Sequence, residues 1–121
     1  MGRIAANFFV AMILLATGAA GAGAAELLMF ERSGCPYCLR WDQEIAPAYK
    51  LSNEGRIAPL RRHDLAHGQP KDIKLKSPVR FSPTFVLVDN KMEIGRVTGY
   101  IDNAMFWGML AKMIEKLPKE H

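Results

Sequence analysis

Apolar and polar positions fall into two regimes along the chain. Residues 1–25 carry one charge, Arg3, and then run apolar or small through "IAANFFVAMILLATGAAGAGAA". From Glu26 onward the apolar residues come in short groups separated by polar or turn-forming residues. Leu27 to Phe30, "LLMF", is a continuous apolar run bounded by turn residues, the pattern of a buried strand. Ser33 is the expected N-cap of a helix. Pro36 suits the first turn of that helix, because its missing N–H would be unpaired there anyway. Cys38, Trp41, Ile45 and Tyr49 then recur every three or four residues and define one apolar face. Pro47 lies inside this run and predicts a kink or the end of its first segment, and Gly55 predicts the stop.

Ile57 to Asp64 predicts a second strand, with poor alternation. "HGQPKDIKLKS", His67 to Ser77, is a polar connection with room for one short helix. Thr84 to Val88, "TFVLV", is β-branched and aromatic and is the clearest strand. "DNKM" then makes a turn, and Glu93 to Thr98 returns as the partner strand. Asp102 or Asn103 caps a last helix, with Phe106, Met109, Leu110, Met113, Ile114 and Leu117 as its buried stripe. Gly108 inside that helix costs about 1 kcal/mol relative to Ala, which predicts a close approach to the sheet. The order β-α-β-(α)-β-β-α implies an α/β fold. Its small mixed four-stranded sheet is flanked by helices, the first two strands are parallel and the terminal hairpin is antiparallel.

With 121 residues the chain holds one ordinary domain. Residues 1–25 read as a secretory signal peptide: a basic start, an apolar stretch, and small residues suited to cleavage near Ala24 or Ala25. The alternative is an uncleaved membrane anchor, since the stretch approaches the ~20 residues that span a bilayer. The domain proper is then 26–121. Losing Arg3 leaves 15 of the 16 basic residues against 12 acidic ones, a formal +3. That basicity is dispersed, and its densest cluster, "LRRHD" at Leu60 to Asp64, is mixed. There is no polybasic run and no nucleic-acid motif, so no nucleic-acid partner is expected.

Export places the chain in an oxidising space such as the bacterial periplasm. It has two cysteines, Cys35 and Cys38, in "CPYC". A loop this short constrains little unfolded-chain entropy, so the pair is a weak staple, which points to reactivity. A helix N-terminus presents unpaired N–H groups and a partial positive charge, and both stabilise a thiolate. Cys35, at the helix mouth, is the expected nucleophile, and Cys38, one turn inward, the resolving thiol. Arg32 and Arg40 add positive potential nearby and Glu31 opposes it. Tyr37 is expected to be exposed and Trp41 to pack beneath the site. The alternative is a metal-binding or metal-delivery module, with both thiolates and His63 or His67 holding zinc or copper. A third reading is a redox-inert binding module with the pair permanently oxidised.

The C-x-x-C at a strand-to-helix junction resembles the thioredoxin superfamily, and the resemblance covers nearly all of residues 26–121. "CPYC" is similar to the tetrad of glutaredoxins. "SPTFVLV", Ser82 to Val88, resembles the segment in which a cis-proline begins a strand beside the active-site disulfide, and "GRVTGY", Gly95 to Tyr100, resembles the strand and glycine before the last helix. The resemblance implies a cis Ser82–Pro83 bond. It also implies a substrate resting on Pro36, Tyr37, Ser82 and Pro83, with backbone contacts from Ser82. The chain departs from thioredoxins at Met29, where a buried acid is usual, and it lacks the glutaredoxin residues that hold glutathione. Its size, export signal and motifs are similar to the small exported thioredoxins of bacterial sulfur-oxidation clusters, the SoxS type. That likeness implies a monomeric periplasmic thiol–disulfide oxidoreductase without cofactor or metal. It would act on a protein disulfide or thiol adduct, such as a sulfur-oxidation carrier protein or an apocytochrome, and draw electrons from a membrane thiol-reducing donor protein. A proline beside the sulfurs would crowd a metal.

Overall fold

The computed structural model describes residues 24–119. The expected signal segment lies outside the described residues up to position 23. Its last residue, Ala25, opens the first strand, β1 (Ala25–Glu31). There follow α1 (Pro36–Glu44), α2 (Ala46–Leu51), α3 (Asn53–Ile57), β2 (Leu60–Asp64), β3 (Thr84–Asp89), β4 (Met92–Thr98) and α4 (Asn103–Ile114). The sheet order is β2-β1-β3-β4. β1 runs parallel to β2 and antiparallel to β3, and β4 is antiparallel to β3, as the element order requires. The fold is thus a mixed four-stranded sheet with flanking helices.

β1 and β3 are central and buried on both faces, which is why both read as unbroken apolar runs. Alternation sorts their side chains. Leu27, Met29, Phe85 and Leu87 join Cys38, Trp41, Tyr49, Phe106 and Leu110 in the core beneath α1, α2 and α4. Leu28, Phe30, Val86 and Val88 face the other way and pack on Leu65, Ile73 and Val79. The cover on that second face is not the short helix allowed for between β2 and β3. It is one 3₁₀ turn, Leu65–His67, followed by irregular chain. Gly68, Pro70 and Pro78 punctuate this segment and discourage a helix. Side chains hold it instead. Gln69 exchanges two hydrogen bonds with the Val79 backbone, at 3.0 and 2.8 Å, and Glu93 Oε1 accepts from the Lys76 amide at 2.8 Å.

Pro47 ends the first helical segment as expected: α1 stops at Glu44, and Pro47 lies in the first turn of α2. Gly55 is not the stop. It lies inside α3, where Ser52 Oγ accepts its N–H at 2.9 Å and a Cβ would collide with the Tyr49 carbonyl. The second strand begins at Leu60 rather than Ile57. The β3–β4 turn is Asn90–Lys91, both at positive φ, as a two-residue hairpin requires.

Two expectations for the last helix are corrected. Phe106, Leu110 and Met113 are buried, Ile114 and Leu117 are half-buried, and Met109 is exposed. Gly108 approaches nothing, since a Cβ there would find open space within 4 Å. The close approach falls at Gly95 of β4, where a Cβ would lie 3.1 Å from Met113 Sδ. Among the described residues no helix is long and apolar enough to cross a membrane.

Candidate active site

β1 delivers the chain to a tight turn, and Gly34 at φ +75° turns it into α1. The cap is Cys35 itself, not Ser33. Its extended backbone (φ −84°, ψ 108°) precedes Pro36, and its Sγ accepts the Cys38 N–H at 3.2 Å. A sulfur therefore occupies the place usually taken by a serine or aspartate oxygen, in the field of the helix N-terminus. Cys35 and Cys38 form a disulfide with their Cα atoms 5.2 Å apart. Both are largely buried, Cys35 the more exposed at 8% against 4%.

The Ser82–Pro83 peptide is cis. The Phe81 carbonyl accepts from Thr84 Oγ1 at 2.6 Å, and the Pro83 carbonyl from the Gly99 amide at 2.7 Å. Gly99 supplies φ +88°, a conformation other residues rarely adopt. An open groove brings Tyr37 and Arg40 of α1 together with Ser82 and Pro83 and with the chain at Gly99, Tyr100 and Ile101. Tyr37, Phe81 and Ile101 stand out at 54, 66 and 63% exposure. Of the expected substrate-contact residues, Tyr37, Ser82 and Pro83 share this groove, while Pro36 is exposed at the helix start.

The sequence reading missed how the groove wall is built. Tyr100 donates to Glu44 Oε1 at 2.6 Å, and Arg40 reaches the same carboxylate at 3.3 and 3.4 Å. The Arg40 guanidinium also lies over the Tyr100 ring at 5.2 Å and donates to the Ile101 carbonyl at 3.0 Å. The bond from the phenol, then that from Arg40, holds the Glu44 carboxyl below its ordinary value. Burial, then the bond to Glu44, pushes the Tyr100 phenol up to about 12. The i, i+4 spacing of Arg40 and Glu44 was visible in sequence; the arrival of Tyr100 was not.

Trp41 is fully buried beneath the site, its ring 5.0 Å from Phe85 and 5.6 Å from Phe106. Met29 is fully buried in β1, so that position holds no ionisable group. The charges on its flank are Arg62, bonded to Glu31 at 3.0 Å and Asp42 at 2.8 Å, and 3.6 Å from Met29 Sδ. Glu31 is thereby paired with Arg62. His63 lies in β2, and its Nε2 is 2.7 Å from the Gly68 carbonyl oxygen. Among the described residues no three His, Cys, Asp or Glu side chains group as metal ligands.

A family model for thioredoxin-like domains matches residues 16–114. The chain belongs to the thioredoxin-like family. The periplasmic thioredoxin SoxS from Paracoccus pantotrophus, solved in its reduced form, is 49% identical with a TM-score of 0.73, over 75% of this chain and 96% of that one. More distant thioredoxin-like structures share the fold alone. A thioredoxin-fold protein from Helicobacter pylori is 19% identical (TM-score 0.58; 78% and 71% covered), and a thioredoxin from Malassezia sympodialis 18% (TM-score 0.52; 78% of each). No curated protein matches the chain at a significant level. The thioredoxin-like domain, its C-x-x-C disulfide and the SoxS likeness make this protein a thiol–disulfide oxidoreductase, and such proteins act on protein disulfides.

Proposed function

We propose that this thioredoxin-like protein is exported to the periplasm and there reduces a disulfide or thiol adduct on a specific partner, a sulfur-oxidation carrier protein being the leading candidate. In the dithiol state the Cys35 thiolate attacks one sulfur of the partner's disulfide. A Cys35–partner bond forms, and the displaced partner sulfur leaves as a thiolate that takes a proton. The Cys38 thiolate then attacks Cys35 Sγ. The Cys35–Cys38 bond forms and the partner leaves with its second thiol. Two electrons have passed to the partner, and a membrane thiol donor restores the dithiol. The observation that carries this reading is the Cys38 N–H directed at Cys35 Sγ at the head of α1, a contact that favours a sulfur anion over a thiol. Pro36, Tyr37, Ser82 and Pro83 serve as the resting surface for the partner chain. The periplasmic location and the sulfur-oxidation partner take their support from the SoxS likeness, and export from the apolar leader. The protein works as a monomer.

The test is a pair of variants with insulin as the disulfide substrate. Cys35→Ser abolishes reduction. Cys38→Ser stops after one attack and holds a Cys35–insulin mixed disulfide that dithiothreitol releases. Insulin reduction surviving in Cys35→Ser overturns the assignment of the nucleophile. Recovery of Cys38→Ser with no mixed disulfide overturns the assignment of the resolving thiol.

A further inference from the structure

The outer face of α4 is explained neither by the fold nor by the sulfur chemistry. Ile101, Met105 and Met109 are 63, 45 and 40% exposed. Ala104 and Gly108 are exposed beside them, and no charged residue occurs between Asp102 and Lys112. Ala104, Met105, Gly108 and Met109, three and four residues apart, lie on one side of α4, and Ile101 directly precedes its cap residue Asp102. Glycine disfavours an exposed helix interior, yet nothing within the domain needs the space that Gly108 leaves open. Methionine, flexible and polarisable, suits apolar contacts that must adapt to a partner.

This face is continuous with the groove at the disulfide. Ile101 lines that groove together with Tyr37, Ser82 and Pro83. Its carbonyl is also tied to α1 by Arg40 at 3.0 Å, so the junction between groove and helix is held in place. We propose that the outer face of α4 extends the docking surface of the active site. Its occupant is an apolar segment of the same protein that presents its disulfide to Cys35. The inference rests on the oxidoreductase reading above. Continuity selects the occupant: a segment leaving the disulfide along the groove meets Ile101 first. Met105 and Met109 follow on α4, about 6 Å apart along its axis, which about two extended residues can span.

The probes are two synthetic peptides, each joined through its single cysteine to a chromogenic aromatic thiol by a disulfide. Flanks of about six residues on both sides of the cysteine are rich in Leu and Met in one peptide and in Ser and Gln in the other. Reduced enzyme cleaves the disulfide, becomes oxidised at Cys35–Cys38, and releases the coloured thiol and the free peptide. The apolar peptide is reduced with kcat/KM about tenfold above the polar one, the scale of burying one large apolar side chain. Met105→Lys/Met109→Lys abolishes that preference and leaves the rate on the polar peptide unchanged, which also reports an intact fold. Met105→Ala/Met109→Ala reduces the preference without adding charge. Met92→Lys, at an exposed methionine of β4, keeps it.

Equal rates for the two peptides on an active enzyme overturn the proposal, as does a preference that survives in the double lysine variant. Self-association of the wild type lost in that variant overturns it in favour of a second copy. Sedimentation with zwitterionic phosphatidylcholine vesicles lost in that variant overturns it in favour of a lipid surface. A wild type that leaves both peptides uncleaved sinks the oxidoreductase reading itself, a result distinct from the other three.

Discussion

Arg96→Met leaves a buried carboxylate without its cation, and the structure sets the size and pH dependence of the effect. The Glu93 side chain is 3% exposed and that of Arg96 21%. Arg96 meets both Glu93 oxygens at 2.7 and 2.8 Å and donates to the Ser77 carbonyl at 2.7 Å. Burial is the largest influence on Glu93 and raises its pKa. The Arg96 bonds, the Lys76 amide and the nearby positive charges outweigh burial and hold the carboxyl below its ordinary 4.5. Methionine keeps much of the aliphatic volume and removes the counterweight. Deleting one partner of a buried ion pair costs about 3–5 kcal/mol, and the partial exposure of Arg96 lowers this to about 2–3 kcal/mol.

In the wild type, Glu93 contributes stability that is full above its unfolded pKa and is lost as pH falls through the lower folded value. In the variant burial dominates and the folded pKa lies above the unfolded one. The deficit is therefore largest at neutral pH and closes as pH falls below about 4. Urea unfolding followed by tryptophan fluorescence reads this directly. With a slope of about 1–3 kcal/mol per M, the midpoint falls by about 0.7–3 M at pH 7. The double variant Glu93→Gln/Arg96→Met recovers most of the loss, since no charge is left stranded. An equal midpoint shift at pH 7 and pH 4, or no recovery in the double variant, refutes the reasoning.

Gly108→Ala raises stability by about 0.5–1 kcal/mol because it improves helix propensity and its Cβ meets nothing. Gly95→Val lowers it by about 1–3 kcal/mol by pressing on Met113. Thermal melts check both, and equal effects at the two glycines would defeat the assignment of the close contact to β4. Tyr100→Phe removes the leading cause of Glu44's depressed pKa, so the Glu44 carboxyl moves up toward 4.5 in an NMR titration; an unmoved value contradicts the bond. The Tyr100 phenol titrates near 12 by ultraviolet absorbance. The stability it contributes is full below the ordinary tyrosine value of about 10 and is lost as pH rises toward the folded value.

Local chemistry made the reactive part of this protein legible. "CPYC" after an apolar run, a proline leading "TFVLV", and a two-residue turn between matched strands are signals carried by neighbours in sequence. Strand pairing, the last helix's start and the placing of both sulfurs at the head of the first helix followed from them. The first helix's cap slipped, from Ser33 to Cys35, because the cap belongs to whichever residue turns in the extended conformation just before Pro36.

What the tertiary structure decided lay in contacts between distant segments. The 3.6-residue period marks a helix's apolar side but not where its arc meets the sheet. The arc of α4 centres on Phe106, Leu110 and Met113, leaving Met109 outside and Gly108 bare. Segment 65–79 closes the second face of the sheet without a helix, because Leu65, Ile73 and Val79 can bury there while Gln69, Glu93 and Arg96 satisfy its backbone. Tyr100 reaches Glu44 across 56 positions of chain. Periodicity and turn chemistry are short-range and can be read from sequence. Which faces meet, and which polar groups must then be paired, depends on how the whole chain excludes water.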